Sequence, residues 1–172
     1  GISVPERVVS HAINRFRELS PAVGVRAHSQ TTGELQRKLI DGDLDLFLSA
    51  PPEEFQFAAD LAIEQVAMER DQIIVRSTHP LARRGRVTLA ELRDSPWILS
   101  SVRDAGWTRV CDEFEREGLA PPESVVLTNS MMVGRGLIQS DDYIALGNCH
   151  MHQSELERGA VVVLSVPALE FR

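Results

Sequence analysis

The sequence lacks several features that would point to a protein class at once. It has two cysteines in 172 residues, Cys111 and Cys149, too few for the disulfide framework of a small secreted domain. They suit a reducing compartment, although the sequence permits one disulfide. No apolar run approaches the roughly 18 residues that a membrane span needs. No charged segment followed by a hydrophobic one marks a signal peptide at the start of the chain. We therefore expect a cytoplasmic protein without membrane contact.

Positive charge is also scarce. The 18 Lys and Arg residues are outnumbered by 25 Asp and Glu, and the formal net charge is −7. A surface that grips a phosphate backbone needs a concentrated positive face. The only dense basic cluster is Arg83, Arg84 and Arg86 beside Gly85, which is more typical of a solvated loop. This chain is therefore not expected to contact nucleic acid itself.

Motifs for catalysis and for metal binding are missing too. The sequence has no G-x-S-x-G elbow, no P-loop and no dinucleotide-binding glycine pattern. Asp41–Asp45 alternates carboxylates as a calcium loop does, but Leu46 and Pro52 stand where such a loop needs glycine and glutamate. Cys149–His152 lacks the paired spacing of a zinc site and is better explained as a polar loop. We expect no catalytic residue, no metal and no cofactor.

What the sequence does have is most distinct in residues 25–50. An extended apolar stretch leads into Ser29–Thr32, whose side chains can cap a helix. The helix that follows has apolar residues four positions apart, and Gly42 suits its C-terminal end. Residues 44–48 then form a nearly continuous apolar run, typical of a strand buried on both faces of a parallel sheet. The pattern predicts strand, helix and strand.

The residues before this stretch continue the same alternation. Ser3–Glu6 has the S-x-x-E pattern of a capping box, and apolar residues at helical spacing follow as far as Leu19. Residues 4–19 are therefore predicted to be an amphipathic helix, preceded by the end of a strand and followed by a strand at 23–27. Residues 1–50 thus read as β-α-β-α-β, which implies a parallel sheet.

The rest of the chain gives shorter signals of the same kinds. Two strands, separated by a turn near Arg70, are predicted within residues 61–76. Single strands are predicted at 96–99, 125–127, 143–146 and 160–166. Helices are predicted at 88–92, with a T-x-x-E capping box, at 105–118 and from 131 to 138. The sequence shows no internal repeat.

One pattern recurs four times: an apolar strand ends, and hydroxyl or amide side chains open a helix. Any single instance is well explained as an ordinary N-cap, worth about 1 kcal/mol. Helix N-termini also attract anions through free N–H groups, and parallel strands bring such turns to one carboxyl edge. The pattern therefore predicts a small-anion site. Its candidate residues are Ser3, Gln30, Thr31, Thr32, Ser100, Ser101, Thr128 and Asn129.

The order and spacing of five motifs resemble the effector-binding (regulatory) domain of LysR-type transcriptional regulators. These motifs are F-x-x-x-x-P at Phe16–Pro21, the stretch Gly33–Leu46, His79–Ala82, Val87–Leu92 and Pro96–Leu99. Each alone is weak, but together they are specific, and the resemblance covers the whole chain.

The resemblance implies an α/β fold with two Rossmann-like lobes of the type II periplasmic-binding-protein kind, joined by crossover strands. The first lobe (RD-I) would be residues 1–72, without its C-terminal return helix, and the second (RD-II) residues 73–172. A small anionic effector, such as a carboxylate, would occupy the cleft between the lobes. A missing N-terminal winged helix-turn-helix would bind DNA, which fits the acidic charge and a start at Gly1 without Met. The family also implies a homodimer or homotetramer.

Carried over position by position, the family's effector contacts fall on Ser3, Thr32, Ser100-Ser101 and Thr128-Asn129, which are turns found independently above. One segment departs from the family pattern. The family often has an apolar-Leu-Pro ending after its Gly-rich helix, whereas here residues 143–146 are followed by Gly147-Asn148-Cys149.

Two other functions share this architecture and stay open at this point. A solute-binding protein of a transporter would need export, and DNA upstream of Gly1 would then encode a signal peptide. An enzyme on the same scaffold would need an acid, a base or a nucleophile in the cleft, where these turns offer only hydroxyls and amides.

Overall fold

The computed structural model describes residues 4–49, 51, 55–67, 70–100 and 105–170. The chain forms two compact units, Gly1–Gln65 (unit 1) and Val66–Arg172 (unit 2). Asp71 and Gln72, placed in the first lobe by the sequence reading, begin a strand of unit 2. Two predicted site residues, Ser3 and Ser101, lie outside the described residues, as does the predicted strand end at 1–3.

Unit 1 contains the two helices that the sequence predicts. Helix α1 is Glu6–Leu19 and helix α2 is Thr32–Ile40. After α2 the chain turns at Gly42, whose φ of 81° lies in the left-handed region that glycine adopts without steric cost. The aspartates around Gly42 therefore belong to a helix-terminating turn.

The predicted strands of unit 1 are wrong in detail. The described parts of 23–27, of 44–48 and of 61–67 form no strand. Several apolar side chains that a buried parallel sheet would cover are instead exposed; Leu46 is 76% exposed and Val25 is 43% exposed. A strand exists only where a neighbouring strand accepts its backbone hydrogen bonds, and an apolar run in the sequence does not supply that neighbour.

Unit 2 is built on a mixed five-stranded sheet. Its strands are β1 (Asp71–Arg76), β2 (Trp97–Leu99), β3 (Val125–Leu127), β4 (Ile144–Asn148) and β5 (Val161–Leu164). The strand order is β3-β2-β4-β1-β5. Strand β2 is parallel to both β3 and β4, whereas β1 is antiparallel to β4 and β5. All five strands match predicted segments.

The helices of unit 2 connect these strands. They are α3 (Leu89–Leu92), α4 (Ala105–Arg116), α5 (Met131–Ser140) and α6 (Gln153–Glu157). The first three confirm the sequence prediction, including the capping box in which the Glu91 carboxylate accepts from the Thr88 N–H and hydroxyl. Helix α6 and the 3-10 helix Cys149–His152 before it were not predicted. Among the described residues, no helix combines the length and apolarity that a bilayer span requires.

The hydrophobic core lies in unit 2. Trp97 and Phe114 are its largest fully buried side chains, and the Trp97 and Trp107 rings meet edge to face with their centroids 5.2 Å apart. In the described part of unit 1, only Pro5 and Leu35 are buried. Unit 2 therefore carries most of the burial that stabilises the chain.

Two histidines of unit 2 are buried. His79 is 3% exposed, and its Nδ1 accepts a hydrogen bond of 3.0 Å from the Leu81 N–H, which requires an unprotonated Nδ1. Burial lowers the pKa of His79 although nearby Asp142 opposes the shift. Burial likewise lowers the pKa of His152, with Glu155 opposing and Arg135 reinforcing the shift. Both imidazoles are therefore held neutral by the fold.

We expect unit 2 to lose stability on mild acidification. The unfolded chain takes up protons near pH 6.5, whereas the folded chain resists them, so the free energy of unfolding falls as the pH drops below about 6.5. Each histidine contributes a slope of at most about 1.4 kcal/mol per pH unit. Urea unfolding between pH 7.5 and 5.5, followed by tryptophan fluorescence, measures how the free energy of unfolding changes with pH. His152→Gln should reduce this slope, and a slope equal to that of the unsubstituted chain would contradict the assignment.

Candidate functional site

The start of α2 brings two hydroxyls together in unit 1. The Thr32 Oγ1 and the Ser49 Oγ are joined by a short, part-buried hydrogen bond. Because one hydrogen bond uses only one of the two hydroxyl protons, the pair keeps one proton to donate. That proton lies beside the N-terminus of α2, where the helix dipole favours a negative group. The pair can therefore donate to an anion.

Thr31, the N-cap of the same helix, has a structural task. The Glu34 carboxylate accepts hydrogen bonds from the Thr31 hydroxyl, at 2.6 Å, and from the Thr31 N–H, at 2.9 Å. These bonds hold the pKa of the Glu34 carboxyl below its usual range. The Thr31 hydroxyl proton is therefore already used in the hydrogen bond to Glu34, and the Glu34 carboxylate lies in the first turn of the helix. A ligand would find Thr32 better disposed to donate than Thr31.

Gln30 offers the opposite kind of group. Its side-chain Oε1 is buried, and it has no hydrogen-bond partner in the described part of the chain. A buried carbonyl oxygen without a donor costs about 1–3 kcal/mol, so a donor supplied by a ligand or by water would be favourable. Gln30 can therefore accept a hydrogen bond from a hydroxyl or an amine of a ligand, whereas the Thr32–Ser49 pair can donate a hydrogen bond to an acceptor on the ligand.

In unit 2, two predicted turns meet at one edge of the sheet. Ser100 follows β2 and Thr128 follows β3, and the two strands are neighbours and parallel. The Thr128 N–H donates to the Leu99 carbonyl at 3.0 Å, which ties the strand ends together. The prediction that Ser100 and Thr128 share a carboxyl edge is therefore confirmed within this unit.

The hydroxyls beside this edge accept local bonds and keep their protons. Thr128 Oγ1 accepts from the Ser130 N–H at 3.1 Å, and Ser130 Oγ accepts from the Val133 N–H at 3.4 Å. Each oxygen uses a lone pair in this way, and its O–H remains able to donate. Ser130, and not Thr128 or Asn129, is the N-cap of α5. Asn129 is exposed.

Sequence reasoning missed Ser49 and Ser130 as site candidates. Ser49 comes directly after the apolar run 44–48, and a hydroxyl residue directly after an apolar run was itself a usable signal, as it was at Ser100 and Thr128. Ser130 stood in the predicted cap but was not singled out. Which residue of a polar run becomes the N-cap depends on backbone geometry that the sequence does not display.

No metal centre is formed by the residues that the structure describes: no three His, Cys, Asp or Glu side chains among them cluster around a common point. The metal-capable segment Cys149–His152 forms a 3-10 helix, with His152 buried and His150 exposed. Both cysteines are free thiols. Burial raises the pKa of Cys111, reinforced by Asp112 and Glu115, so its thiol stays protonated and weakly nucleophilic.

The sequence matches a known family along almost its whole length. The family described as the LysR substrate binding domain matches residues 2–172. Among curated proteins, the transcriptional regulator GbpR of Rhizobium radiobacter is 26% identical over 138 residues, covering 80% of this chain and 45% of that protein. The regulator GalR of Pseudomonas putida is 28% identical over 153 residues, or 89% of this chain and 38% of that protein. The chain thus spans less than half of these relatives.

Solved structures show the same fold at lower identity. The regulatory domain of CcmR from Synechocystis, in complex with 2-PG, superposes with a TM-score of 0.71 at 20% identity, covering 96% of this chain and 77% of that one. The reduced regulatory domain of OxyR from Pseudomonas aeruginosa gives 0.68 at 18% identity, over 95% and 77% of the two chains. These likenesses confirm the predicted α/β, periplasmic-binding-protein-like fold class.

Proposed function

The chain belongs to the LysR substrate-binding domain family, and from that premise we propose that it is the ligand-sensing domain of a LysR-type transcriptional regulator. The match over residues 2–172 carries the proposal, and the donor groups found at the helix starts support it. In this proposal the domain binds a small effector and passes that event to an N-terminal winged helix-turn-helix that contacts DNA. Both relatives described above are themselves named as transcriptional regulators.

The proposed effector contacts are the polar groups at the start of α2 and at the β2–β3 edge. In unit 1 they are Gln30, Thr32 and Ser49; in unit 2 they are Ser100, Thr128 and the exposed Asn129. Ser3 and Ser101 stay in the proposal from the sequence alone. Thr31 is retained as the residue that fixes the helix start through Glu34.

The chemistry of these groups defines the proposed effector class. The Thr32–Ser49 hydroxyl pair can donate a proton beside the N-terminus of α2, which favours a carboxylate. The unsatisfied Gln30 carbonyl oxygen favours a donor such as a hydroxyl on the same molecule. A small hydroxylated carboxylate would satisfy both. The domain in this proposal needs no cofactor and no metal.

The test begins with a thermal-shift screen of small carboxylates on the chain, followed by calorimetry on the compound that stabilises it most. Thr32→Ala combined with Ser49→Ala should weaken its binding by about tenfold or more, because a hydrogen bond to a charged group contributes roughly 1.5–3 kcal/mol. Thr128→Ala removes a proposed contact in unit 2 and should also weaken the binding, by a comparable factor.

Thr88→Ala is the control, since it removes a threonine hydroxyl at the start of another helix, α3, from a residue that is not among the proposed contacts. It should lower stability slightly and leave the affinity unchanged. An affinity that stays within twofold in the Thr32→Ala/Ser49→Ala protein, folded by circular dichroism, would rule out the proposed contacts.

We further propose that the whole regulator acts in the cytoplasm as a homodimer or homotetramer, without a catalytic step. An effector can change such an assembly only if it binds one conformational state better than another. The apolar side chains that α1 exposes, Phe16 at 44% and Leu19 at 68%, support association between copies. Light scattering with and without effector would measure the oligomeric state. Chemical turnover of the bound compound would contradict a purely sensory role.

A further inference from the structure

A polar cavity of about 270 Å³ lies in unit 1, away from the start of α2. It is lined by Arg26, His28, Lys38, Asp43 and Leu44. Arg26 and His28, two residues apart, both line this cavity. Val25 and Ala27 alternate with them and line a separate, more apolar groove beside α1. Residues 25–28 therefore contribute to two different surfaces.

The basic groups at this cavity are not neutralised by ion pairs. Some arginines elsewhere have carboxylate partners: Arg76 lies 2.8 Å from Asp142, and Arg84 lies 2.8 Å from Glu91. Within the described residues, neither Arg26 nor Lys38 has a carboxylate within ion-pair distance. Arg26 and Lys38 therefore bring two cations without a close ion-pair partner to one cavity.

The end of α2 beside Lys38 does not oppose a negative ligand as strongly as a free helix C-terminus would. The Lys38 carbonyl accepts from the Asp43 N–H at 2.8 Å and from the Leu44 N–H at 3.2 Å. The Arg37 and Leu39 carbonyls also accept, from residues 41 and 42. These bonds satisfy carbonyl oxygens that would otherwise present negative charge to the cavity.

We propose that this cavity is a second anion site, which takes a small molecule with at least two negative charges, such as a phosphate or a di- or tricarboxylate. Arg26 and Lys38 supply the two charges, and His28 supplies a further hydrogen-bond donor. Asp43 at the rim lowers the affinity and sets a requirement for a doubly charged ligand, because a monoanion gains too little from the remaining positive charge. The site is separate from the proposed effector contacts and does not depend on them.

The test is titration of the intact chain with inorganic phosphate and with citrate, followed by two-dimensional amide NMR at constant ionic strength. Shifts should concentrate on the five lining residues, and acetate should produce none there. Arg26→Ala with Lys38→Ala should weaken binding about tenfold or more. Asp43→Asn should strengthen it by a few fold, because the substitution removes the repelling carboxylate. A gain of affinity cannot arise from misfolding.

Arg83→Ala with Arg86→Ala removes the same number of charges from an exposed loop of unit 2 and should leave the titration unchanged. Thr32→Ala/Ser49→Ala should also leave it unchanged, which separates this site from the proposed effector site. If Arg83→Ala/Arg86→Ala weakened phosphate binding as much as Arg26→Ala/Lys38→Ala, the affinity for phosphate would depend only on net charge. That result would overturn the proposal. Shifts spread over the whole chain, or the same response to acetate, would overturn it as well.

Discussion

Trp97→Ala is expected to destabilise unit 2 by about 3–5 kcal/mol, the range for removing a fully buried large aromatic side chain. Trp97 has no exposed surface, packs edge to face on Trp107, and donates its indole N–H to the Leu92 carbonyl at 3.3 Å. The substitution leaves a cavity beside β2 and removes one of the two hydrogen bonds that the Leu92 carbonyl accepts, the other coming from the Ser95 N–H. Urea unfolding followed by the fluorescence of Trp107 would measure the loss.

Two controls separate packing from the hydrogen bond. Trp97→Phe keeps most of the ring contact and loses the N–H, so it should cost about 1–3 kcal/mol. Met132→Ala changes a side chain that is 84% exposed and should alter stability by no more than about 0.5 kcal/mol. A loss below about 1 kcal/mol for Trp97→Ala would mean that the core is packed differently from the structure described here.

Arg135→Ala is expected to cost a similar amount, about 3–5 kcal/mol, for an electrostatic reason. Arg135, on α5, donates to the Met151 carbonyl at 2.6 Å, and its Nε lies 3.5 Å from the Glu155 carboxylate. Glu155 is only 5% exposed. Without Arg135 a nearly buried carboxylate loses its closest compensating charge, and chemical denaturation at pH 7.5 would measure the penalty.

Arg158→Ala is the matched control, because Arg158 approaches the same carboxylate at 3.8 Å but is 71% exposed. Its removal should cost less than about 1 kcal/mol. Glu155→Gln placed on Arg135→Ala should recover part of the loss, since the amide carries no charge. If Arg135→Ala and Arg158→Ala cost the same, burial does not decide the strength of these pairs.

The sequence predicts unit 2 better than unit 1, for a physical reason. The strands β1 to β5 are short apolar runs whose neighbours lie in the same unit, so local pattern and final pairing agree. The run 44–48 has the same pattern, yet its described residues form no strand and Leu46 is exposed. Hydropathy reports what a segment could bury, whereas strand formation also needs a hydrogen-bonding partner.

The candidate site divides along similar lines. Thr32, Ser100 and Thr128 were predictable because helix capping and strand-end position are local properties. The partnership of Thr32 with Ser49 was not, because it joins residues from two turns of the chain. The buried pair of Arg135 and Glu155 was also missed, since charged residues in a sequence are ordinarily assigned to solvent.

The position of β1 within its sheet has a consequence for biosynthesis. β1 is the earliest strand of unit 2 along the chain, but its hydrogen-bonding neighbours are the two latest, β4 and β5. On the ribosome, Ile74 and Val75 must therefore wait, with both edges of their strand open, until nearly the entire unit has emerged. A nascent chain stalled before Val161 would expose an apolar strand with an unpaired edge, to which chaperones or other nascent chains could bind.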